Sequence, residues 1–273
     1  MTIFYSIVLF AFGACIGSFL NVVILRTHSK KTLGGRSQCP HCEHELQTLD
    51  LVPVISYLVL QGRCRYCQHK FSIQYPLVEF LTATLFVLLF LHSPLQNAYT
   101  FLNLFELLFF LFVAAVLVVV TVYDLRWGLI PNKIILPASI IAFIYQLLVF
   151  IANIKLGSLD SALLGFGLTL LTAFCVGLFF LLLIVATKGK GMGGGDLKLS
   201  VFIALALGFP LTIIALLLAF LTGAVASVIL LISGKKGLKS KIPFGPFLAL
   251  GAVLSMLVGT NLWSLYLQML GFN

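Results

Sequence analysis

Long apolar runs alternate with short polar joints along almost the whole chain. About 20 mainly apolar residues make a helix long enough to cross a bilayer. Segments 3–25, 75–91, 100–123, 130–151, 161–187, 197–207, 211–232 and 243–260 follow that pattern. The sixth is short, and Gly208-Phe209-Pro210 after it reads as a tight turn into the seventh. One extended polar block separates the first two runs. The pattern predicts an all-α polytopic membrane protein of about eight transmembrane helices. Its parts are a first helix at 1–25, a small cytosolic insert at 26–74 and a seven-helix membrane core at 75–273.

Composition strengthens this reading. Of 273 residues, 61% are hydrophobic and only 9% are charged, against about 25% charged in a typical soluble domain. Mean hydropathy is +1.14. Such a chain cannot bury its apolar side chains by folding on itself, so the lipid bilayer is its solvent.

A net charge of +9 looks like a nucleic-acid signal until the charges are placed. With eight spans, Arg26, Lys30, Lys31, Arg36, Arg63, Arg65 and Lys70 follow the first. Arg126 and Lys133 follow the third, Lys188, Lys190 and Lys198 the fifth, and Lys235, Lys236, Lys239 and Lys241 the seventh. Of 17 basic residues only Lys155 falls on the opposite side. Cytoplasmic loops carry the Lys/Arg excess, so these loops face the cytosol and both termini lie outside. The basic charge sets topology, and no basic stripe with aromatic partners points to nucleic acid. The first run has no preceding basic residue and exceeds a signal peptide's apolar core, so it is read as an anchor and not a cleaved leader.

The polar block carries Cys39-Pro40-His41-Cys42 and Cys64-Arg65-Tyr66-Cys67. Two C-x2-C pairs match the ligand pattern of a structural zinc site, four thiolates at about 2.3 Å from the metal. The 21 residues between them slightly exceed the usual spacing. A cytosolic location disfavours disulfides, and so small a block needs a staple to hold a core. Four cysteines complete the coordination, so His41, His44 and His69 are read as surface residues. Cys15 and Cys175 fall within spans and are read as small buried packing residues.

Acidic residues within membrane segments are costly and mark functional sites. The chain has only four aspartates, and two stand at the ends of apolar runs. Asp124 closes the third run and opens Asp124-Leu125-Arg126-Trp127-Gly128-Leu129-Ile130-Pro131-Asn132. Asp196 follows Gly193-Gly194-Gly195 at the start of the sixth. The inferred topology puts both at the cytosolic boundary. Two close carboxylates cannot both ionise. One then takes a proton from a water attacking a peptide carbonyl while the other donates to the oxyanion. Gly193, Gly194 and Gly195 permit positive φ and close approach of an extended substrate. The competing readings are that each aspartate caps a helix or pairs with Arg126, Lys198 or another loop cation. An ion-coupled transporter using the aspartates as ligands is the non-enzyme alternative. It predicts internal repeats, and the two halves show no convincing one.

These motifs together resemble those of the bacterial type IV prepilin peptidases, intramembrane aspartic proteases of the GxGD type. The resemblance rests on Gly13 through Val23, the two cysteine pairs, Tyr75-Pro76-Leu77-Val78-Glu79 and Asp124 with Ile130-Pro131-Asn132. It extends to Gly193-Gly194-Gly195-Asp196 and Pro243 through Gly251. It implies catalysis by Asp124 and Asp196, with removal of the basic leader of prepilins and pseudopilins after a glycine on the cytosolic side. It further implies N-methylation of the new terminus from S-adenosylmethionine, although no Gly-rich dinucleotide fingerprint occurs. Glu79, Gly17, Ser18 and Asn21 are candidates for the substrate or methyl-transfer site. Helix-dipole stabilisation of Glu79 and close helix packing by Gly17, Ser18 and Asn21 are the alternatives.

Overall fold

A computed structural model describes residues 2–96, 100–157, 159–189, 191–234 and 242–271. Lys190, Lys235, Lys236, Lys239 and Lys241, which entered the topology reading, lie outside the described residues. Among the described residues the regular structure is helical, with only two isolated β-bridges. The helices are α1 (Thr2–His28), α2 (Ile55–Val59), α3 (Gln74–His92), α4 (Phe101–Trp127) and α5 (Asn132–Leu156). They continue with α6 (Leu159–Ala186), α7 (Gly194–Leu207), α8 (Leu211–Ile232) and α9 (Gly245–Met269). Every apolar run forms a helix, and seven of these helices are long and apolar enough to cross a membrane. This is a multi-pass membrane protein. The sixth run is the exception: α7 has 14 residues, about 21 Å at 1.5 Å per residue, against a hydrocarbon core of about 30 Å.

The chain divides into two compact units, Met1–Val119 and Val120–Asn273, with the boundary inside α4. In the first unit α1 packs along α3. Gly13 and Gly17 make this possible. A Cβ at Gly13 would stand 2.7 Å from the Ala83 Cα, and one at Gly17 would stand 2.6 Å from the Glu79 Cα. Small residues four apart on one helix face let backbones approach, the packing that membrane helices favour. Gly17 therefore serves the helix crossing. Cys15 and Cys175 are exposed on the flanks of their helices, contrary to the sequence reading: an apolar run does not show which of its faces meets protein and which meets lipid.

In the second unit α5, α6, α8 and α9 all pack on α7. That surrounding explains why α7 is apolar on every side; Leu199, Phe202, Ile203, Ala204 and Leu207 are all buried. α8 and α9 pack tightly through Gly251, where a Cβ would collide with the Ala215 carbonyl oxygen. Four residues on, Ser255 Oγ donates to the Leu211 carbonyl at 2.7 Å. α7 is thus a short central helix whose first turn is held from several sides.

Candidate active site and metal centre

Two chain reversals build the acidic site in the second unit. α4 ends because Gly128 adopts φ +63 and donates its N–H to the Asp124 carbonyl at 2.8 Å, a left-handed helix stop that glycine favours. Pro131 then precedes α5. Asp124 is left in the last turn of α4, 5% exposed. Its Oδ2 accepts the Gly245 N–H at 3.1 Å, from the start of α9. A Cβ on Gly245 would stand 2.5 Å from that same oxygen. Only glycine lets the α9 backbone reach the carboxylate.

Asp196 sits in the first turn of α7, and its Oδ2 accepts the Gly193 N–H at 3.1 Å. It therefore does cap its helix, as the competing reading proposed, but with only one of its two oxygens. The two reversals meet at several points. A Cβ on Gly195 would stand 3.1 Å from Ile130, and Lys198 Nζ donates to Asn132 Oδ1 at 2.8 Å. Asp124 and Asp196 thus stand at two reversals that touch each other. Among the described residues neither one forms an ion pair. Lys198, a named candidate partner, is engaged with Asn132 instead. Two acids at adjoining reversals, with no ion-pair partner among the described residues, do not form a stabilising salt-bridge network. The arrangement suits a proton-sharing pair that activates water.

The glycines work differently from expectation. None of Gly193, Gly194 and Gly195 has positive φ. Gly193 supplies an N–H to Asp196, Gly195 admits Ile130, and a Cβ on Gly194 would meet nothing within 4 Å. Gly245 was not among the sequence candidates, although it lies in the Pro243–Gly251 stretch that carried part of the resemblance. Its contribution is a backbone N–H and a missing Cβ. Beyond that stretch, its signal was a Gly-Pro pair at the head of an apolar run.

The first unit holds the four cysteines. The two knuckles repeat one geometry: Cys39 N–H donates to the His44 carbonyl and Cys64 N–H to the His69 carbonyl, at 3.0 and 2.9 Å. Glu43 and Gln68, at equivalent positions, both take φ +57. The sulfur atoms of Cys39, Cys42, Cys64 and Cys67 all lie within 4.8 Å of one another. A tetrahedron of sulfurs about 2.3 Å from its centre has edges of about 3.8 Å, and Cys39 Sγ and Cys67 Sγ are 3.8 Å apart. The donor set fits a tetrahedral metal. The His69 N–H favours a Cys67 thiolate, but burial and hydrogen bonds with the other three cysteines push the Cys67 thiol up to about 12. A bound dication reverses that balance, because coordination deprotonates thiols outright. His41 and His69 stack on each other at 4.3 Å and His44 lies against Tyr66, all outside the four-sulfur cluster.

The remaining sequence candidates gather near the junction of α1, α3 and the cysteine-bearing block. Glu79 is 8% exposed. Its Oε2 accepts the Val54 N–H at 2.7 Å, and the carboxylate also accepts from Ser18. Asn21 Nδ2 donates to the Gly17 and Tyr75 carbonyls at 3.3 and 3.1 Å. Ser18, Asn21 and Glu79 all line one cleft of ≈ 190 Å³; Gly17 does not.

Comparison with known proteins agrees with this anatomy. Residues 11–93 match the bacterial peptidase A24 N-terminal domain, and residues 111–228 match the type IV leader peptidase family. A prepilin leader peptidase/N-methyltransferase of Bacillus subtilis is 32% identical, covering 96% of this chain and 98% of the relative. Proteins of the same name from Aeromonas hydrophila and Pseudomonas aeruginosa are 33% and 30% identical. They cover 97% and 96% of this chain, and 94% and 93% of their own lengths. No solved structure matches the chain. The chain belongs to the type IV leader peptidase family.

Proposed function

We propose that this protein is a membrane-embedded aspartic peptidase that removes the leader of prepilins and pseudopilins and then N-methylates the new amino terminus. The observation that carries the reading is the pair Asp124 and Asp196, set on two touching reversals and without an ion-pair partner among the described residues, in a chain of this family. One carboxylate, ionised, takes the proton of a water as its oxygen attacks the carbonyl carbon of the scissile bond. The other, protonated, donates to the carbonyl oxygen as the tetrahedral species forms. The pair titrates as a unit. Gly245 holds Asp124 through its N–H, and Gly193 holds Asp196 in the same way. The open backbone at Gly194 leaves room for an extended substrate strand, with cleavage after a glycine.

Residues 26–74 form the metal-bearing insert and 75–273 the peptidase core in this reading. Cys39, Cys42, Cys64 and Cys67 hold Zn2+, a structural ion because four thiolates leave no open coordination position. S-adenosylmethionine supplies the methyl group as an electrophilic carbon on a sulfonium. The loop charges place both termini outside the bacterial inner membrane, with the dyad and the insert at its cytosolic face, where a basic leader remains while the pilin's apolar helix stays in lipid.

Co-expression with a prepilin tests this reading. Intact mass should show loss of the leader plus about 14 Da for one methyl group, and both changes should depend on the wild-type chain. Leader loss without added mass would leave a peptidase alone. An uncut prepilin from each of several pilus systems would contradict the proposal.

A further inference from the structure

The insert between α1 and α3 turns an apolar face outward. Residues 49–60 hold a single charged side chain, Asp50, and Arg65 pairs with it at 2.7 Å. Within α2, Ser56 and Tyr57 line the cleft beside α1 and α3. Ile55, Leu58 and Val59 are absent from its walls and are 60%, 68% and 72% exposed. Their i, i+3, i+4 spacing puts them on one helical face. A helix on a water-facing domain turns its apolar face inward and its polar face to solvent. α2 does the reverse.

The depth of α2 follows from hydrogen bonds at the spans. α3 has 19 residues, about 28 Å at 1.5 Å per residue, and a hydrocarbon core is about 30 Å thick. It has no length to spare, so its first residue, Gln74, stands at the edge of the core. α1 gives the same level. Gln74 Nε2 donates to Asn21 Oδ1 at 3.4 Å, and Thr2 to Asn21 is again about 30 Å of helix. Glu79 lies further in along α3 by about 7 Å. Its Oε2 accepts the Val54 N–H at 2.7 Å, from the residue that precedes α2. Val54 takes φ +61 at this contact, a conformation that a β-branched residue adopts only where its surroundings impose it. The start of α2 is therefore held level with the first turns of α3, whose exposed flank carries Leu77 and Phe80. Lipid, not water, surrounds that depth. Residues 26–74 also carry seven basic side chains against three acidic, a balance that suits anionic phospholipid headgroups.

We propose that α2 lies in the bilayer interface at the face where α1 ends and α3 begins, with Ile55, Leu58 and Val59 inserted among the acyl chains. Helices of this kind bury their apolar face about 5–10 Å into the headgroup boundary, which matches the depth set by Glu79. The insert then rests on the membrane through an anchor of its own instead of projecting into water, and its four-cysteine cluster is kept close to the lipid surface.

A photoreactive benzophenone side chain, placed at single positions of the full chain in vesicles of phosphatidylethanolamine and phosphatidylglycerol, tests the anchor. At Leu81, on the exposed flank of α3, it sets the yield for lipid contact. At Glu45, charged and exposed in the first knuckle, it sets the yield for water. Intact mass after irradiation counts the phospholipid adducts. At Leu58 and at Val59 the yield should come within about threefold of Leu81 and exceed Glu45 by about tenfold. A yield at the Glu45 level at either position would overturn the proposal. So would an adduct with added prepilin in place of lipid, which would make this face a substrate-docking surface. Leu58→Glu supplies a second reading. Its charge opposes insertion, so the lipid adduct at Val59 should fall about fivefold; an unchanged yield would contradict the anchor.

Discussion

The two units hold chemistry in opposite ways. The four-cysteine centre of the first unit is built locally: each knuckle takes both its ligands from one short turn, and the two turns share hydrogen bonds and a positive-φ residue at equivalent places. The acidic site of the second unit is assembled from three helix ends, the close of α4, the start of α7 and the start of α9. A local cluster depends on its own turns and on any metal it would hold, whereas an assembled site depends on backbone approach. A change that removes a ligand should cripple the first, and a change that adds a methyl group should cripple the second.

The largest effect is expected at the acids. Asp196→Asn retains the acceptor for the Gly193 N–H but removes the ionisable group, so cleavage should fall by about 10³-fold or more. Thermal stability of the purified variant should stay close to wild type. Next comes Gly245→Ala, in which the new methyl displaces Asp124. Misplacement of a catalytic group by about 1 Å costs roughly 10²-fold, so cleavage should fall by that order while zinc content is unchanged. An active Gly245→Ala variant would show that the acidic site does not depend on backbone approach.

Changes in the first unit should read out differently. Cys39→Ser should reduce the zinc-to-protein ratio from about one to near zero and open residues 30–70 to limited proteolysis. Gly17→Leu forces α1 from α3 and should destabilise the protein by about 1–3 kcal/mol, measured by thermal unfolding. The smallest effect is electrostatic. The Arg65 guanidinium, the Gln47 N–H and the Tyr66 hydroxyl outweigh burial and hold the Asp50 carboxyl below its ordinary range. A depressed carboxyl contributes stability above its unfolded pKa of about 3.9 and loses it as pH falls through the folded value. Asp50→Asn should therefore be less stable than wild type at pH 7, and the two should converge in strong acid.

The comparison also explains what could be read from the sequence. The clustering of the four cysteines was legible because two C-x2-C pairs in a small block are gathered by two short, matching turns. Asp124 and Asp196 stood out as scarce acids at the ends of apolar runs, and the structure puts them at two helix ends on reversals that touch; the loop charges supplied the topology reading. Gly245 escaped because its function resides in an N–H that every non-proline residue possesses. The glycines before Asp196 were expected to permit positive φ and close approach; none takes positive φ, while their missing side chains admit Ile130 at Gly195 and leave Gly194 open. Cys15 and Cys175 were placed inside because hydropathy reports that a helix lies in lipid without reporting which way it is turned. The shortness of α7 was visible, but its central position depends on the four helices around it.

The most direct test of the central claim is a double-substitution cycle on the acids, comparing cleavage of a prepilin by Asp124→Asn, Asp196→Asn and the double variant, all verified as folded. If the carboxylates act as one catalytic unit, each single change should cost as much as both together. Losses that multiply, or one single variant that still cleaves at near wild-type rate, would contradict a shared role for Asp124 and Asp196.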